Sequence, residues 1–304
     1  LFTNDAALLY LLKKPSCTKY YFVYSIGSIS NQKTMINEMK NTNLVIGAAT
    51  GYKKIDLFYF VESLRNIFFE DVILIMNNKI DPETNHYLNS RNIKIFFTKS
   101  TSRTIFKDRY KIYFDIAQSN KNLKNIMISD TKDVIFQQDP FKSPSLSKLN
   151  FFLEDKIIKD CKTNSRWITR SYGKKIYEEL KNFSISCSGV TIGSREGILE
   201  YCRQMVWEID NNNYLSLNPF NKGSDQGNHN IVVNSEKFKF SKKFYNEDCL
   251  VVNLSNSDPK IIQYLKNQFT IKNKLISVIH QYNSHKIINS YVDNYIEKKN
   301  EAEN

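Results

Sequence analysis

The chain has 304 residues, 41% of them hydrophobic and 13% aromatic, enough to bury a sizeable core and to exclude a disordered tail. With 9 Gly and 6 Pro it is neither fibrous nor built from loops. The formal net charge of +12 attracts anions, but Lys and Arg are dispersed among Asp and Glu, which argues against nucleic acid and leaves phosphorylated small molecules or an anionic membrane surface as partners.

Residues 20–26 read as a short strand. Residues 43–49 form an apolar run that ends in small residues, followed by Thr50-Gly51-Tyr52. That is the pattern of a buried parallel strand entering a tight turn. Ile55, Phe58, Phe60, Val61, Leu64 and Phe68 are spaced for one face of a helix over 55–67. Strands at 71–76, 92–97 and 125–129 then alternate with helices at 83–91 and 106–119. The alternation predicts a mostly parallel sheet flanked by helices, with ligands beyond the carboxyl ends of the strands. The second half is less regular. Strands are expected at 149–153, 187–192, 249–254 and 276–280, and helices at 174–181 and 195–210. An Asn-rich loop is expected over 211–224, and a charged tail, frayed or helical, from 294. No internal repeat and no Pro/Gly linker divides the chain.

Five cysteines (Cys17, Cys161, Cys187, Cys202 and Cys249) include no CxxC pair, and the four histidines include no HExxH. Neither a disulfide framework nor a zinc site is indicated, and a reducing, cytoplasmic compartment is the simpler expectation. No run of 18 apolar residues is present to span a membrane. The first residue is Leu1 rather than Met, which leaves room for a removed anchor ahead of it.

Asp130 and Asp133 follow the strand 125–129 and precede Val134-Ile135-Phe136. Two neighbouring carboxylates suit a hard divalent cation, Mn²⁺ or Mg²⁺, which also takes phosphate oxygens. Alone, Asp-x-x-Asp reads more readily as a capped turn. Its place at the end of a buried strand, before Gln137-Gln138-Asp139-Pro140-Phe141, favours the metal. This stretch resembles the metal-binding signature of GT-A fold glycosyltransferases. It is closest in pattern to a group carrying DxxDVxFQxDPF, and more distantly similar to family 8 glycosyltransferases such as glycogenins.

The resemblance implies a GT-A (Rossmann-like) α/β fold over 1–304. Its nucleotide-binding half would be 1–145, its acceptor and catalytic half 146–290, and its tail 291–304. Ala48, Ala49, Thr50 and Tyr52 look like the nucleotide-cradling turn, with Thr131 and Gly189 also against the donor. Arg109 looks like the family's donor-facing Arg. Asn164, Trp167 and Ile168 resemble an Asn-x-x-Trp-Ile element between donor and acceptor. Cys187 to Gly193 resembles the "CSGVTIG" strand. Asp225-Gln226 resembles a "DQxxxN" helix start near the reacting carbon, which makes both residues catalytic candidates. His280 looks like the late histidine that joins Asp130 and Asp133 on the metal. Asn283 stands where relatives often carry Asp.

The function so implied is Mn²⁺-dependent transfer from a nucleotide sugar, most simply a UDP-sugar, to a glycan, lipid-linked or protein-linked acceptor. The likeness to family 8 favours retention of configuration; under inversion Asp225 is the first choice of base. A sugar-phosphate nucleotidyltransferase would share the carboxylates and metal but should show more glycine near the first strand. A glycan-binding domain without turnover is the rival from outside the enzymes.

Overall fold

A computed structural model describes residue 32 and residues 42–211, 225–238 and 240–302, and everything below concerns these. The strand expected at 20–26 and residues 212–224 of the loop expected at 211–224 lie outside them, while Asn211 is the last residue of a helix. In chain order the first half holds β1 (Leu44–Ala48), α1 (Lys54–Arg65), β2 (Asp71–Asn77), α2 (Pro82–Ser90), β3 (Lys94–Thr98), α3 (Ile105–Ser119), β4 (Asn125–Ser129) and β5 (Val134–Phe136). There follow β6 (Leu149–Ile157), α4 (Lys162–Leu180), β7 (Ser184–Ser194), α5 (Arg195–Asn211), α6 (Asp225–Val233), β8 (Lys242–Phe244) and β9 (Val251–Asn253). A small meander, β10 (Gln263–Leu265), β11 (Gln268–Ile271) and β12 (Lys274–Leu275), leads to β13 (Val278–His280) and α7 (Lys286–Ala302).

The main sheet has the order β3-β2-β1-β4-β7-β6-β8. Six strands run one way, and β7 is reversed between β4 and β6. The α/β class and the mostly parallel, helix-flanked sheet are therefore as the sequence implied. The central strands are buried on both faces, so β1 and β2 are continuous apolar runs rather than alternating ones. Leu44 and Ile46 pack on one face with α3 and α5, while Val45 packs on the other with α1 and α2. Asp81 caps α2 by accepting the Thr84 N–H at 2.9 Å, and Pro82 follows at the first turn, so the helix starts where its chemistry dictates.

Two expectations need correction and a third is sharpened. Ile55 does not face the core; it is 80% exposed, and the buried stripe of α1 is Leu57, Phe60, Val61 and Leu64. The helix expected at 174–181 begins at Lys162 and is broken by Gly173 at φ 83°. The segment from 291, expected as a frayed or helical tail, is helical to Ala302 and packs on the fold. In α7, Ile288, Val292, Tyr295 and Ile296 recur at helical spacing and close a third core cluster against β9 and β13. Tyr295 also donates its hydroxyl to the Phe136 carbonyl at 2.9 Å.

Among the described residues, no helix is long and apolar enough to cross a membrane. Cys161, Cys187, Cys202 and Cys249 are free thiols.

One buried acid gives a stability prediction. Burial pushes the Asp115 carboxyl on α3 up to about 7, and Lys111 only partly offsets it. The native chain then holds this proton more tightly than the unfolded chain, so stability falls as pH rises from about 4 to 7. Asp115→Asn should gain about 1–2 kcal/mol at pH 8 and nothing near pH 4, read by urea unfolding at both. Equal gains at the two pH values would refute the assignment.

Candidate metal centre

The small second sheet assembles the site. β13 pairs antiparallel with β5, bringing His280 opposite Val134, next to Asp133. The Gln281 N–H donates to the Asp133 carbonyl at 2.7 Å and prolongs this ladder. On the other side the Asp130 N–H donates to the Gly189 carbonyl at 2.6 Å, which ties the acidic turn to β7. Thr131 donates its hydroxyl to the Ala48 carbonyl at 3.0 Å and pins the turn to the end of β1. Residues far apart in sequence are thus locked by backbone pairing around one point.

At that point His280 Nε2 lies 3.7 Å from Asp130 Oδ2 and 3.8 Å from Asp133 Oδ1. The three residues form a group that could hold a metal ion. The imidazole is buried, and β9 supplies Asn253 in register beside it, with Nδ1 and Asn253 Oδ1 2.8 Å apart. With Nδ1–H directed at Asn253, Nε2 faces the two carboxylates and would turn a lone pair toward a cation once its own proton is given up. Nε2 has no hydrogen-bond partner although it is buried. A buried polar atom left unpaired is costly unless something else satisfies it. Ligands of an octahedral Mg²⁺ or Mn²⁺ at ~2.1 Å stand ~3 Å apart when adjacent and ~4.2 Å when opposite, and the observed separations fall between these. The donor set, two carboxylate oxygens and one imidazole nitrogen within 4.8 Å of one another, is of the kind a small hard cation takes.

Gly189 makes the approach feasible. A Cβ there would come within 2.2 Å of His280 Cε1, 2.6 Å of its Nε2 and 2.9 Å of Asp130 Oδ2. The bare backbone of β7 is what lets the strand pass behind the triad.

The charges are arranged unequally. Burial opposes the charge on Asp130, but Arg109 and His280 outweigh it and hold this carboxyl down at about 2. At Asp133 burial raises the carboxyl, His280 opposes, and the negative charge of Asp130 adds to the rise. Burial alone would lower His280, but Cys187, Asp130 and Asp133 more than reverse it and hold it well above the usual imidazole range. A cation held here would take the place of that proton on the histidine.

Arg109 links this centre to α6. Its Nη1 donates to Asp130 Oδ1 at 2.7 Å and its Nη2 to Asp225 Oδ2 at 2.5 Å. Asp225 also accepts from the Tyr110 hydroxyl at 3.2 Å. Gln226 holds β7: its Nε2 donates to the Ser186 carbonyl at 2.6 Å, and its Oε1 accepts the Ser188 N–H at 2.8 Å. Its amide is thus already engaged with backbone, while the residue also lines the adjoining cleft.

A cleft of about 610 Å³ opens over these groups, with Thr50, Tyr52, Arg109, Asp130, Gly189 and Asp225 in its wall. A recess of about 230 Å³ adjoins it, sharing Ala48, Tyr52 and Arg109 and reaching Thr131, Asp133 and Asn283. Gly51, at φ 81°, makes the turn that turns Tyr52 toward the cleft. The Tyr52 phenol is pushed up to about 12 by burial and by Asp130 and Asp133. Ala49 is a correction: its side chain is packed wholly in the core among Val45 and Leu57, so it shapes the turn and does not face the cleft.

Several site residues carried no signal in the sequence. Glu154, at 4% exposure, lines the cleft from β6 and accepts from Asn256 Nδ2. Burial raises its carboxyl. Asn253 orients the metal histidine. His229, within the motif that begins at Asp225, lies between Tyr201 Oη at 2.6 Å and Ser186 Oγ at 2.8 Å. All three are completely buried, and burial with Arg109 lowers the imidazole to about 3. This is a sealed structural network, not a hydrolytic Ser–His pair. No protein-family model matches the chain, and no curated protein sequence matches it.

Proposed function

We propose that the chain is a glycosyltransferase of the GT-A kind that moves a sugar from a nucleotide sugar, most simply a UDP-sugar, to a hydroxyl acceptor with Mn²⁺ as cofactor. The observation that carries this reading is the buried Nε2 of His280, without a hydrogen-bond partner and within 4 Å of Asp130 and Asp133, at the carboxyl end of β4 and beside a cleft of nucleotide-sugar size. A hard cation held there would neutralise a diphosphate and make it a better leaving group.

The chain's own residues supply the rest. Arg109 offers a planar fork to phosphate oxygens once a donor competes with Asp130 for it. Tyr52 presents a ring to the base and ribose. Asp225, held by Arg109 and Tyr110, offers negative charge against the positive charge that develops on the anomeric carbon. Retention of configuration needs no strong base, because the departing phosphate can take the acceptor proton.

The test is thermal unfolding with a panel of nucleotide sugars, with and without Mn²⁺. UDP and Mn²⁺ together should stabilise by about 2.7 kcal/mol at a hundredfold excess over Kd, a rise of several degrees, with less from either alone. Slow Mn²⁺-dependent hydrolysis of the matching UDP-sugar should follow. Stabilisation by a nucleoside triphosphate and sugar phosphate, and not by nucleotide sugars, would indicate nucleotidyl transfer instead. Binding without any turnover would indicate a lectin-like domain. Silence toward every nucleotide sugar sinks the reading.

A further inference from the structure

We propose that the part of the cleft between Glu154 and Trp167 is an acceptor subsite for a neutral sugar ring; this rests on the donor reading above. One wall of the cleft holds Cys187, whose Sγ is 3.6 Å from His280 Nδ1, and Glu154. To the same cleft α4 contributes Asn164 and, three residues on, Trp167. Asn164 is 5% exposed; its Nδ2 donates to Cys161 Sγ at 3.3 Å, and its Oδ1 has no hydrogen-bond partner. Trp167 is half-buried, and Gly227 of α6 lets it sit close, because a Cβ there would come within 3.3 Å of the Trp167 Cβ.

The chemistry of this wall is selective. A buried carboxylate and an unpaired amide oxygen accept hydrogen bonds, and sugar hydroxyls donate them. The indole offers a flat apolar face to the C–H side of a pyranose. Among the described residues lining the cleft, Arg109 is the one cation, and it is bound to Asp130 and Asp225. A phosphorylated or sulfated group entering here would meet Glu154 with no free positive charge to offset it. An alkyl chain would bury Glu154 and Asn164 against groups that cannot hydrogen-bond, which is costly. A neutral, polyhydroxylated ring satisfies every group in the wall.

The test uses the intact chain with Mn²⁺ and UDP, applied to an array of neutral, sialylated, sulfated and phosphorylated oligosaccharides. Calorimetric titrations of Mn²⁺ and UDP run alongside. Neutral glycans should bind. Glu154→Gln and Trp167→Ala should each weaken that binding by roughly tenfold or more, the loss of one charge-assisted or aromatic contact. Both variants should titrate with Mn²⁺ and UDP as the parent does, which separates the subsite from the donor site and from misfolding. A preference for anionic glycans overturns the proposal, and so does neutral-glycan binding that neither substitution changes. Binding of Mn²⁺ and UDP with no glycan bound overturns it too, while the donor reading stands. Failure of Mn²⁺ and UDP to bind removes the donor reading, and this subsite with it.

Discussion

Gly189→Ala should weaken Mn²⁺ binding by roughly 100-fold or more and reduce metal-dependent turnover to match, in line with the cost of disturbing a metal's supporting shell, while the chain still folds. The glycine lies in β7 with its φ outside the left-handed region, so alanine is not excluded by backbone conformation. Its whole effect is spatial. The added methyl falls on the His280 ring and on Asp130 Oδ2, at 2.2 to 2.9 Å. The ring cannot swing aside, because Asn253 and Cys187 hold its other edge and it is 1% exposed. Relief therefore has to come from opening the triad or from shifting β7. Overpacking of this kind costs about 1–3 kcal/mol, which lowers the melting temperature without unfolding the chain. Titration calorimetry with MnCl₂, beside far-UV circular dichroism, measures both. A variant with native secondary structure and undiminished affinity for Mn²⁺ would show that the cation does not sit in this triad.

How much of this could be read beforehand depended on whether backbone pairing or local pattern carried the information. The parallel half was legible, since buried strands are apolar runs and the helices between them keep their own period. β4 was found at its observed bounds, Asn125–Ser129, because turn-forming residues flank an uninterrupted apolar stretch. β6 was cut short at 153. Its continuation, Glu154-Asp155-Lys156, is charged, yet the sheet buries Glu154 and exposes Asp155, as strand alternation allows. That single error hid Glu154. Asn253 was hidden for another reason: it falls inside the strand expected at 249–254 and carries no local signal, while its value lies in standing beside His280. The stripe of α7 was present at i, i+4, i+7 and i+8, but its surrounding charges disguised it as a tail. Metal ligands were visible as residue types; what fixes their geometry, Gly189 behind them and Asn253 beside them, exists only once distant strands pair.

The two aspartates should part company when each is removed. Both Asp130→Ala and Asp133→Ala should abolish Mn²⁺-dependent transfer, a loss of roughly 100-fold or more, because each supplies one oxygen to the cation. Their effects on the metal-free chain should have opposite signs. The Asp130 carboxyl is held down at about 2, so its folded form is favoured above pH 4 and that stability is lost only as pH falls toward 2. Its side chain is 39% exposed, so solvent screening reduces the contribution to about 1 kcal/mol at pH 7. Removing it also leaves Arg109, 8% exposed, with Asp225 as its remaining carboxylate partner. The Asp133 carboxyl is raised, so ionising it costs the folded chain stability at pH 7, and alanine relieves that cost. Metal-free Asp130→Ala should therefore melt below the parent, and metal-free Asp133→Ala at or above it. Addition of Mn²⁺ should drop Asp133→Ala below the parent and widen the deficit of Asp130→Ala, because the parent alone gains stability from the ion. Unequal retention of activity, or matching stability losses in the two metal-free variants, would contradict a site in which one aspartate is paired in advance and the other waits for the cation.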